Sequence, residues 1–199
     1  YIYGFLPTDF GRVSDAMMES ATDNSVYTWE NNSIYYITNG IWSPLKRVDD
    51  GWGFWDGVRS ANLFLENFDP KVLERFQYNE DYDEMIDKAS KFSLEVRFLR
   101  AFYLFELAKR YGDIPLITRT YTQEEINSVR KTSFADVIDF IAKECTEITR
   151  EGGLPEDGVR GETGRVTKGA ALALKSRALL YAASDLHNPA HDLTKWEAA

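Results

Sequence analysis

The sequence predicts an all-α protein made of tetratricopeptide-like helical hairpins with long aromatic-rich loops. Apolar residues recur at three-to-four spacing through most of residues 51–199. Capping residues precede these stretches, and Gly or Pro follows them. The resulting helices form two pairs separated by roughly 80 residues, which is the layout of a helical repeat. We therefore treat 1–199 as a single helical-repeat domain, with a loop-rich N-terminal segment at 1–50 and helical repeats at 51–199.

The N-terminal segment is dominated by turn chemistry. Its short aromatic and β-branched runs are broken at 23–24 (Asp-Asn), 31–33 (Asn-Asn-Ser) and 39–40 (Asn-Gly). We predict one helix near 8–22 in this segment, followed by long loops.

The first predicted pair comprises helices at 52–68 and 83–111. Asp49 or Asp50 can cap the first helix, which should end near Phe68 because Pro70 follows. Gly112 should end the second helix. The two inward faces consist of Trp55, Val58, Asn62 and Leu65, and of Leu94, Phe98, Ala101, Phe102, Phe105 and Ala108.

The second predicted pair comprises helices at 133–150 and 167–186. Thr132 or Ser133 offers an N-cap, with Asp136 placed as in a capping box, and Thr167 opens the later helix. Small residues line one face of that later helix, so a neighbouring helix can approach it closely. The inward residues are Phe134, Val137, Ile138, Ile141, Cys145 and Ile148, and then Ala171, Leu174, Ala178, Tyr181 and Ala182.

Composition narrows the function. The formal net charge of -9, without any Lys/Arg cluster, disfavours nucleic-acid binding. Five Trp and eleven Tyr are more than a core of this size requires, so some rings should serve a surface. The single Cys145 excludes an internal disulfide and is expected to be a buried, inert thiol. No stretch is apolar enough to cross a bilayer, and the missing initiator Met indicates a fragment or a trimmed chain.

Several polar groups could be mistaken for a site. Asn62 lies on an apolar helix face, and Arg97 and Arg100 flank the stripe around Phe98. We expect these three side chains to make hydrogen bonds within the repeat, because buried polar groups need partners.

Catalytic and metal patterns are weak. The stretch at 158–165 (GVRGETGR) lacks the ending of a phosphate-binding loop. Pro189 separates His187 from His191, which argues against a zinc pair. An acidic run could offer oxygens to calcium but lacks the central Gly of an EF-hand loop, so we interpret it as a solvated helix start; it contains Asn79, Asp81, Asp83 and Glu84. We predict no catalytic residue, no cofactor and no metal.

Aromatic and amide side chains are concentrated between 23 and 55. Sugar-binding proteins combine flat aromatic rings with Asn, Asp or Arg partners in a shallow cleft. The rings here are Tyr27, Trp29, Tyr35, Tyr36, Trp42 and Trp52, and the polar partners are Asp23, Asn24, Asn31, Asn32 and Asn39. The alternative is that these rings pack the loops onto the helices.

Three long blocks in order resemble one family. SLEVRFLRAFYLFELAKRYGDIPLI (93–117) is similar to a hallmark of the SusD/RagB family of outer-membrane glycan-binding lipoproteins. DGWGFWDGVRSANLFLEN (50–67) resembles its aromatic-rich helix ending in Ala-Asn, and GRVTKGAALALKSRALLYAASDLHN (164–188) resembles its later Gly-Arg-x-Thr-Lys helix. SFADVIDFIAKECTEI lies between them in the expected place.

The resemblance implies a lipid-anchored protein at the outer membrane, on the cell surface. Such a protein holds a glycan over a SusC-like TonB-dependent transporter and releases it into the pore without breaking a bond. The family also implies a second half, which supplies much of the sugar site, and an N-terminal lipidated cysteine. This chain shows neither feature, so we expect its glycan site to be incomplete and its membrane anchor to lie outside it.

The resemblance also points to particular residues. Trp29-Glu30-Asn31-Asn32 is similar to the Trp-x-x-Asn element with which starch-binding relatives stack and hydrogen-bond a sugar. Trp29 and Asn32 are therefore the first candidate glycan ligands, and Asp23 and Tyr27 are weaker companions.

Three other functions remain open from the sequence. A member of the same importer family could bind peptide through the same loops. A glycoside hydrolase would need two carboxylates facing each other across a cleft, and none of the 32 Asp and Glu residues is marked as such a pair. A pure protein-interaction repeat would show a concave apolar groove on the helices and buried loop rings.

Overall fold

The computed structural model describes residues 1–7, 12–13, 15–156 and 163–199, and the side chain of Arg12 is not described. Contacts divide the chain into two compact units. The helical unit comprises Tyr1–Gly4 and Gly53–Ala199, and the N-terminal unit comprises Phe5–Trp52. The single-domain assignment stays a prediction.

The elements follow one another along the chain with helices dominating from Gly53 onwards. In order they are a 3-10 helix at Ile2–Phe5, β1 (Arg12–Val13), β2 (Ala16–Met17), a 3-10 helix at Met18–Ala21, α1 (Tyr35–Thr38), α2 (Phe54–Asn67), a 3-10 helix at Pro70–Phe76, α3 (Tyr82–Tyr111), α4 (Gln123–Ile126), α5 (Phe134–Ile148), α6 (Lys168–Ala183) and α7 (Leu193–Ala198). The all-α fold class is confirmed. None of the helices in the described ranges is both long and apolar enough to cross a membrane.

Local signals set most helix ends where the sequence predicted them. The Ser133 hydroxyl accepts a hydrogen bond from the amide of Asp136 at 3.2 Å, and the Thr167 hydroxyl accepts one from Ala170 at 3.3 Å. Gly112 follows α3 with φ of 69°, which glycine adopts readily. The predicted cap of α2 is wrong, because its N-cap position is occupied by Gly53. Asp50 instead accepts a hydrogen bond from the amide of Trp52.

The helices of the helical unit pack as two hairpins. Helices α2 and α3 form the first hairpin, α5 and α6 form the second, and α3 packs against α5 to join them. Small residues on α6 permit close packing, since Ala171 and Ala178 are fully buried. A similar close approach occurs at Gly57 on α2, where an added Cβ would lie 2.7 Å from the buried ring of Tyr103. The tetratricopeptide-like arrangement is thereby confirmed.

A buried network of charges connects the two hairpins. The Glu144 carboxylate accepts hydrogen bonds from Arg97 at 2.7 and 3.1 Å and from Arg100 at 3.0 Å. Arg100 also donates to the Asn62 side-chain oxygen at 3.0 Å, while the Asn62 amide donates to the carbonyls of Ile117 and Arg119. The prediction that Asn62, Arg97 and Arg100 form hydrogen bonds within the repeat is confirmed.

This network controls the ionisation of Glu144. Burial disfavours the charged carboxylate, but the hydrogen bonds and charges of Arg97 and Arg100 outweigh burial and lower the pKa of Glu144. The carboxylate therefore remains ionised between two cations, which avoids the large penalty of an unpaired buried charge.

A second polar cluster ties the N-terminal residues of the helical unit to α3. Arg165 donates to both carboxylate oxygens of Glu95 at 2.7 and 2.8 Å. The Tyr3 hydroxyl donates to Glu95 at 2.6 Å and accepts a hydrogen bond from the amide of Val166 at 3.1 Å. Burial and the bond to Glu95 raise the pKa of Tyr3.

The N-terminal unit has its own small core. Strands β1 and β2 pair antiparallel, with Val13 opposite Ala16, and these two residues form a buried cluster with Ile34. The predicted helix near 8–22 is wrong over the described residues, and 8–11 and 14 lie outside them. The physical reason is at Asp15, whose φ of 70° belongs to a turn and not to a right-handed helix. The predicted long loops follow, interrupted by the short helix α1.

Candidate functional site

The loop at 22–34 in the N-terminal unit contains the predicted site residues. Tyr27 in the loop and Tyr35 just after it pack against the buried cluster of Val13, Ala16 and Ile34. The Tyr35 hydroxyl also donates a hydrogen bond to the carbonyl of Tyr27. The loop is therefore fixed in place two residues before Trp29.

Trp29 presents its ring to solvent. Its exposed fraction is 75%, and its ring centroid lies 6.4 Å from that of Tyr27, with the two planes inclined by 56°. A tryptophan side chain has roughly 150–250 Å² of surface to bury, so this exposure leaves a large apolar area available to a ligand. Trp29 and Tyr27 are thus brought together, with Tyr27 acting as the half-buried support.

Asn32 shapes the turn that follows Trp29. Its side-chain oxygen accepts a hydrogen bond from the amide of Ile34 at 2.9 Å, which is the geometry of an Asx turn. The preceding Asn31 has φ of 64°, a left-handed conformation that asparagine tolerates better than most residues. The turn leads the chain from the exposed Trp29 to the buried Ile34.

Asp23 lies in an exposed turn before Tyr27. The side-chain amide of the neighbouring Asn24 donates to the Glu19 carboxylate at 2.5 Å, and its backbone amide donates to the Thr22 hydroxyl at 3.3 Å. Asp23 is exposed to solvent beside these bonds. Its position is consistent with an acidic border to the loop, and its role in a site stays a prediction.

The remaining predicted rings divide by residue type. Trp42 and Trp52 are 62% and 60% exposed, whereas Tyr35 and Tyr36 are half-buried. Tyr36 lies beneath the ammonium of Lys46, 5.5 Å from the ring centroid. The tyrosines of this unit are therefore more buried than its tryptophans, and Tyr27 and Tyr35 pack on the small core of their own unit. The alternative that the rings pack the loops onto the helices stays a prediction.

The residues considered for metal binding have ordinary surroundings. The His187 ring stacks on Phe134, with centroids 3.7 Å apart, and burial together with Lys195 lowers its pKa. His191 lies 3.6 Å from the carboxylate of Asp185. Within the described ranges, no group of three or more His, Cys, Asp or Glu residues is arranged to hold a metal ion. Most of the stretch at 158–165 lies outside those ranges.

Cys145 is buried in α5, as predicted. Burial, reinforced by the charge of Glu144, raises the pKa of its thiol to about 12. The thiol is therefore protonated at neutral pH and is a poor nucleophile.

Sequence reasoning missed the supporting role of Tyr35. Its hydroxyl contacts a carbonyl eight residues earlier in the chain, and no local pattern marks such a pair. The sequence signal was limited to the presence of Tyr35 and Tyr36 directly after the loop.

The stack of tetratricopeptide-like hairpins, together with a loop-rich unit bearing exposed tryptophans, places this chain among helical-repeat proteins. A family model described as SusD-like, "Starch-binding associating with outer membrane", matches residues 12–180. The chain belongs to this SusD-like family.

Solved structures of family members have the same fold. A SusD-like protein from Bacteroides fragilis is 26% identical with a TM-score of 0.63, and the match covers 100% of this chain and 36% of that one. A SusD-like carbohydrate-binding protein from the same species is 28% identical with a TM-score of 0.64, covering 90% and 34%. A laminarin-binding SusD-like protein is 27% identical with a TM-score of 0.60, covering 80% and 32%.

The chain spans about a third of the length of these structures. A comparison with curated proteins gave no match.

Proposed function

We propose that this chain is the helical-repeat part of a cell-surface protein that captures a polysaccharide or oligosaccharide. The captured glycan is delivered to a SusC-like TonB-dependent transporter in the outer membrane, and no bond is broken. The observation that carries this proposal is the 75% exposed ring of Trp29, held on an ordered loop by Tyr27 and Tyr35.

The physical basis is the match between a tryptophan face and a sugar ring. A sugar has apolar C–H faces that stack on an aromatic plane, and its rim of hydroxyls forms hydrogen bonds with neighbouring polar groups. Covering about half of such a ring contributes about 2 kcal/mol at 25 cal/mol per Å². That contribution corresponds to about 30-fold in affinity, so one ring can decide whether a glycan is retained.

Asn32, Asp23 and Tyr27 complete the proposed surface with different roles. Asn32 shapes the turn beside the ring, Asp23 adds an acceptor at the exposed border, and Tyr27 supports Trp29 from the core side. Family relatives described as carbohydrate-binding and laminarin-binding support a sugar as the ligand. A lipid anchor would hold the protein at the membrane, in line with the description of the family as associating with the outer membrane.

The proposal is tested by isothermal titration calorimetry of the full-length protein against a panel of polysaccharides and peptides. Trp29→Ala should weaken binding of the preferred glycan by about 30-fold, because it removes the stacking face. The matched control is Trp42→Ala, which removes a ring of similar exposure from the same unit and should change affinity much less. Circular dichroism should show the same helicity in all three proteins.

Other outcomes would decide against the proposal. Loss of binding in Trp42→Ala with normal binding in Trp29→Ala would move the site away from Trp29. Peptide binding without glycan binding would establish a peptide-capturing member of the family. Release of reducing ends from the bound glycan would show catalysis and contradict a pure binding role.

A further inference from the structure

The segment that includes the Trp29 loop carries only negative charges. Between Val13 and Leu45 the chain contains no Lys, Arg or His, and it contains four acidic residues. These are Asp15, Glu19, Asp23 and Glu30, and all four are exposed to solvent. The ring of Trp29 therefore lies on a segment whose only formal charges are negative.

We infer that the Trp29 surface takes neutral glycans and rejects polysaccharides that carry carboxylate or sulfate groups. This inference rests on the proposed function, because it names the substrate class of the same surface. We call these four acidic residues the acidic border. Their carboxylate oxygens accept strong hydrogen bonds from sugar hydroxyls, so the acidic border favours a neutral sugar. The same oxygens repel uronic acid and sulfate groups.

The repulsion is large enough to select between ligands. Two unit charges about 4 Å apart in water interact by about 1 kcal/mol, which is about fivefold in affinity. Repulsion adds up over those acidic residues that lie within a Debye length of the bound charge, and that length is about 10 Å at 0.1 M salt. A charged polysaccharide should therefore bind more weakly than its neutral counterpart, and the difference should shrink as salt is added.

The nearest cations along the chain do not reverse this argument. Lys46 lies over the ring of Tyr36, and Arg47 lies 3.6 Å from the carboxylate of Asp50. Arg12 precedes the acidic segment. The stretch from Arg12 to Trp52 contains six acidic residues and only these three basic ones, so its formal charge is negative.

A first experiment measures the local charge without any glycan. The fluorescence of Trp29 is isolated as the difference between the wild-type protein and Trp29→Phe, and it is quenched with iodide or with caesium at equal ionic strength. Each quenching constant is divided by that of free N-acetyltryptophanamide, because iodide is intrinsically the stronger quencher of indole. The resulting ratio should be larger for caesium than for iodide, because cations accumulate at a negative surface. An equal or larger ratio for iodide would overturn the inference.

The second experiment compares two forms of one polysaccharide. The neutral polysaccharide that binds best in the panel is oxidised at C6 to carboxylates, so that backbone and linkage are retained and only charge is added. At about 20 mM salt the oxidised form should bind at least about fivefold more weakly to the full-length protein. The triple variant Glu19→Gln, Asp23→Asn, Glu30→Gln should narrow this gap, whereas Asp139→Asn, which neutralises an exposed carboxylate on α5, should leave it unchanged.

The outcomes separate this inference from the proposed function. If both forms bind equally and both are lost in Trp29→Ala, the surface is correct and the preference for neutral glycans is wrong. If the gap persists unchanged in the triple variant, the acidic border is not its cause and the inference is overturned. If Trp29→Ala binds both forms normally, or if no polysaccharide binds at all, the proposed function fails and the inference fails with it.

Discussion

The largest buried aromatic rings of the helical unit contrast with the exposed tryptophans of the N-terminal unit. In the helical unit, Tyr103 and Phe105 are fully buried on α3, and Phe54 stacks on Tyr103 with centroids 5.8 Å apart. In the N-terminal unit, Trp29 and Trp42 remain mostly exposed. A ring at helical spacing is drawn into a core by its neighbours along the same face, whereas a ring on a loop is buried only if a tertiary contact covers it.

The same contrast holds for charge. The helical unit buries Glu144 between Arg97 and Arg100, so this carboxylate is paired with cations inside the fold. The N-terminal unit exposes four acidic residues along a stretch without a cation. The first arrangement stabilises a fold, and the second gives the N-terminal unit a negative surface. The two units therefore differ in whether their charges are paired internally or exposed to solvent.

Glu144→Ala in the helical unit should cause the largest loss of stability. The substitution leaves the buried guanidinium of Arg100 without its carboxylate and leaves the partly exposed Arg97 with Glu147 alone, so the free energy of unfolding should fall by about 3–5 kcal/mol. Urea denaturation followed by circular dichroism measures the change. The control is Glu147→Ala, a more exposed partner of Arg97, which should cost less. Equal losses in both variants would contradict the role assigned to the buried network.

The same carboxylate predicts a pH dependence. Because the arginines lower the pKa of Glu144 in the folded state, its contribution to stability is fully present above the unfolded pKa of about 4.5. The contribution is lost as pH falls through the lower folded pKa. Comparison of the Glu144→Ala penalty at pH 7 and at pH 3 should therefore show a smaller penalty in acid, and a larger one would refute the assignment.

A smaller loss is expected for Gly57→Ala. The added Cβ would lie 2.7 Å from the ring of Tyr103, which is buried and donates its hydroxyl to the carbonyl of Ile2 at 2.6 Å. Because the ring cannot move freely, the overpacking should cost about 1–3 kcal/mol. Gly169→Ala on α6 is the control, since its Cβ has space, and alanine should there stabilise the helix by about 0.5–1 kcal/mol. Thermal unfolding measures both.

The smallest stability effect should come from Tyr35→Phe in the N-terminal unit. Loss of the hydrogen bond to the Tyr27 carbonyl should cost about 0.5–1.5 kcal/mol, and the loop before Trp29 should become more mobile. Fluorescence anisotropy of Trp29, taken as the difference from Trp29→Phe, should fall. Unchanged anisotropy would show that Tyr35 does not position the ring. Tyr36→Phe provides a control on the adjacent residue.

Local patterns predicted the helical unit well because its main determinants are local. Ser133, Thr167 and Gly112 act on the backbone within a few residues of themselves, and their effects were visible in the sequence. The helix near 8–22 was predicted incorrectly because the pairing of β1 with β2 and the turn at Asp15 depend on contacts and conformations that periodicity does not reveal.

The sequence predicted which residues form the candidate site, but it did not predict which of them are buried and which are exposed. The sequence identified Trp29 as a loop ring and Asn32 as its neighbour, but it grouped Tyr27 with them as a ligand-binding companion. The structure places Tyr27 against the small core, where it supports Trp29. Burial depends on which distant residues cover a side chain, and no alternation or spacing within the loop encodes that.

The sequence by itself determined the helical-repeat class, the positions of most helix ends and the negative charge of the Trp29 loop, because these properties follow from backbone preference, periodicity and formal charge. Only the tertiary structure decided that Arg97, Arg100 and Glu144 meet and that Tyr35 holds the carbonyl of Tyr27. It also decided that Trp29 stays in solvent. These outcomes depend on contacts between residues that are far apart in the chain or on the presence of a covering surface, and packing alone settles them.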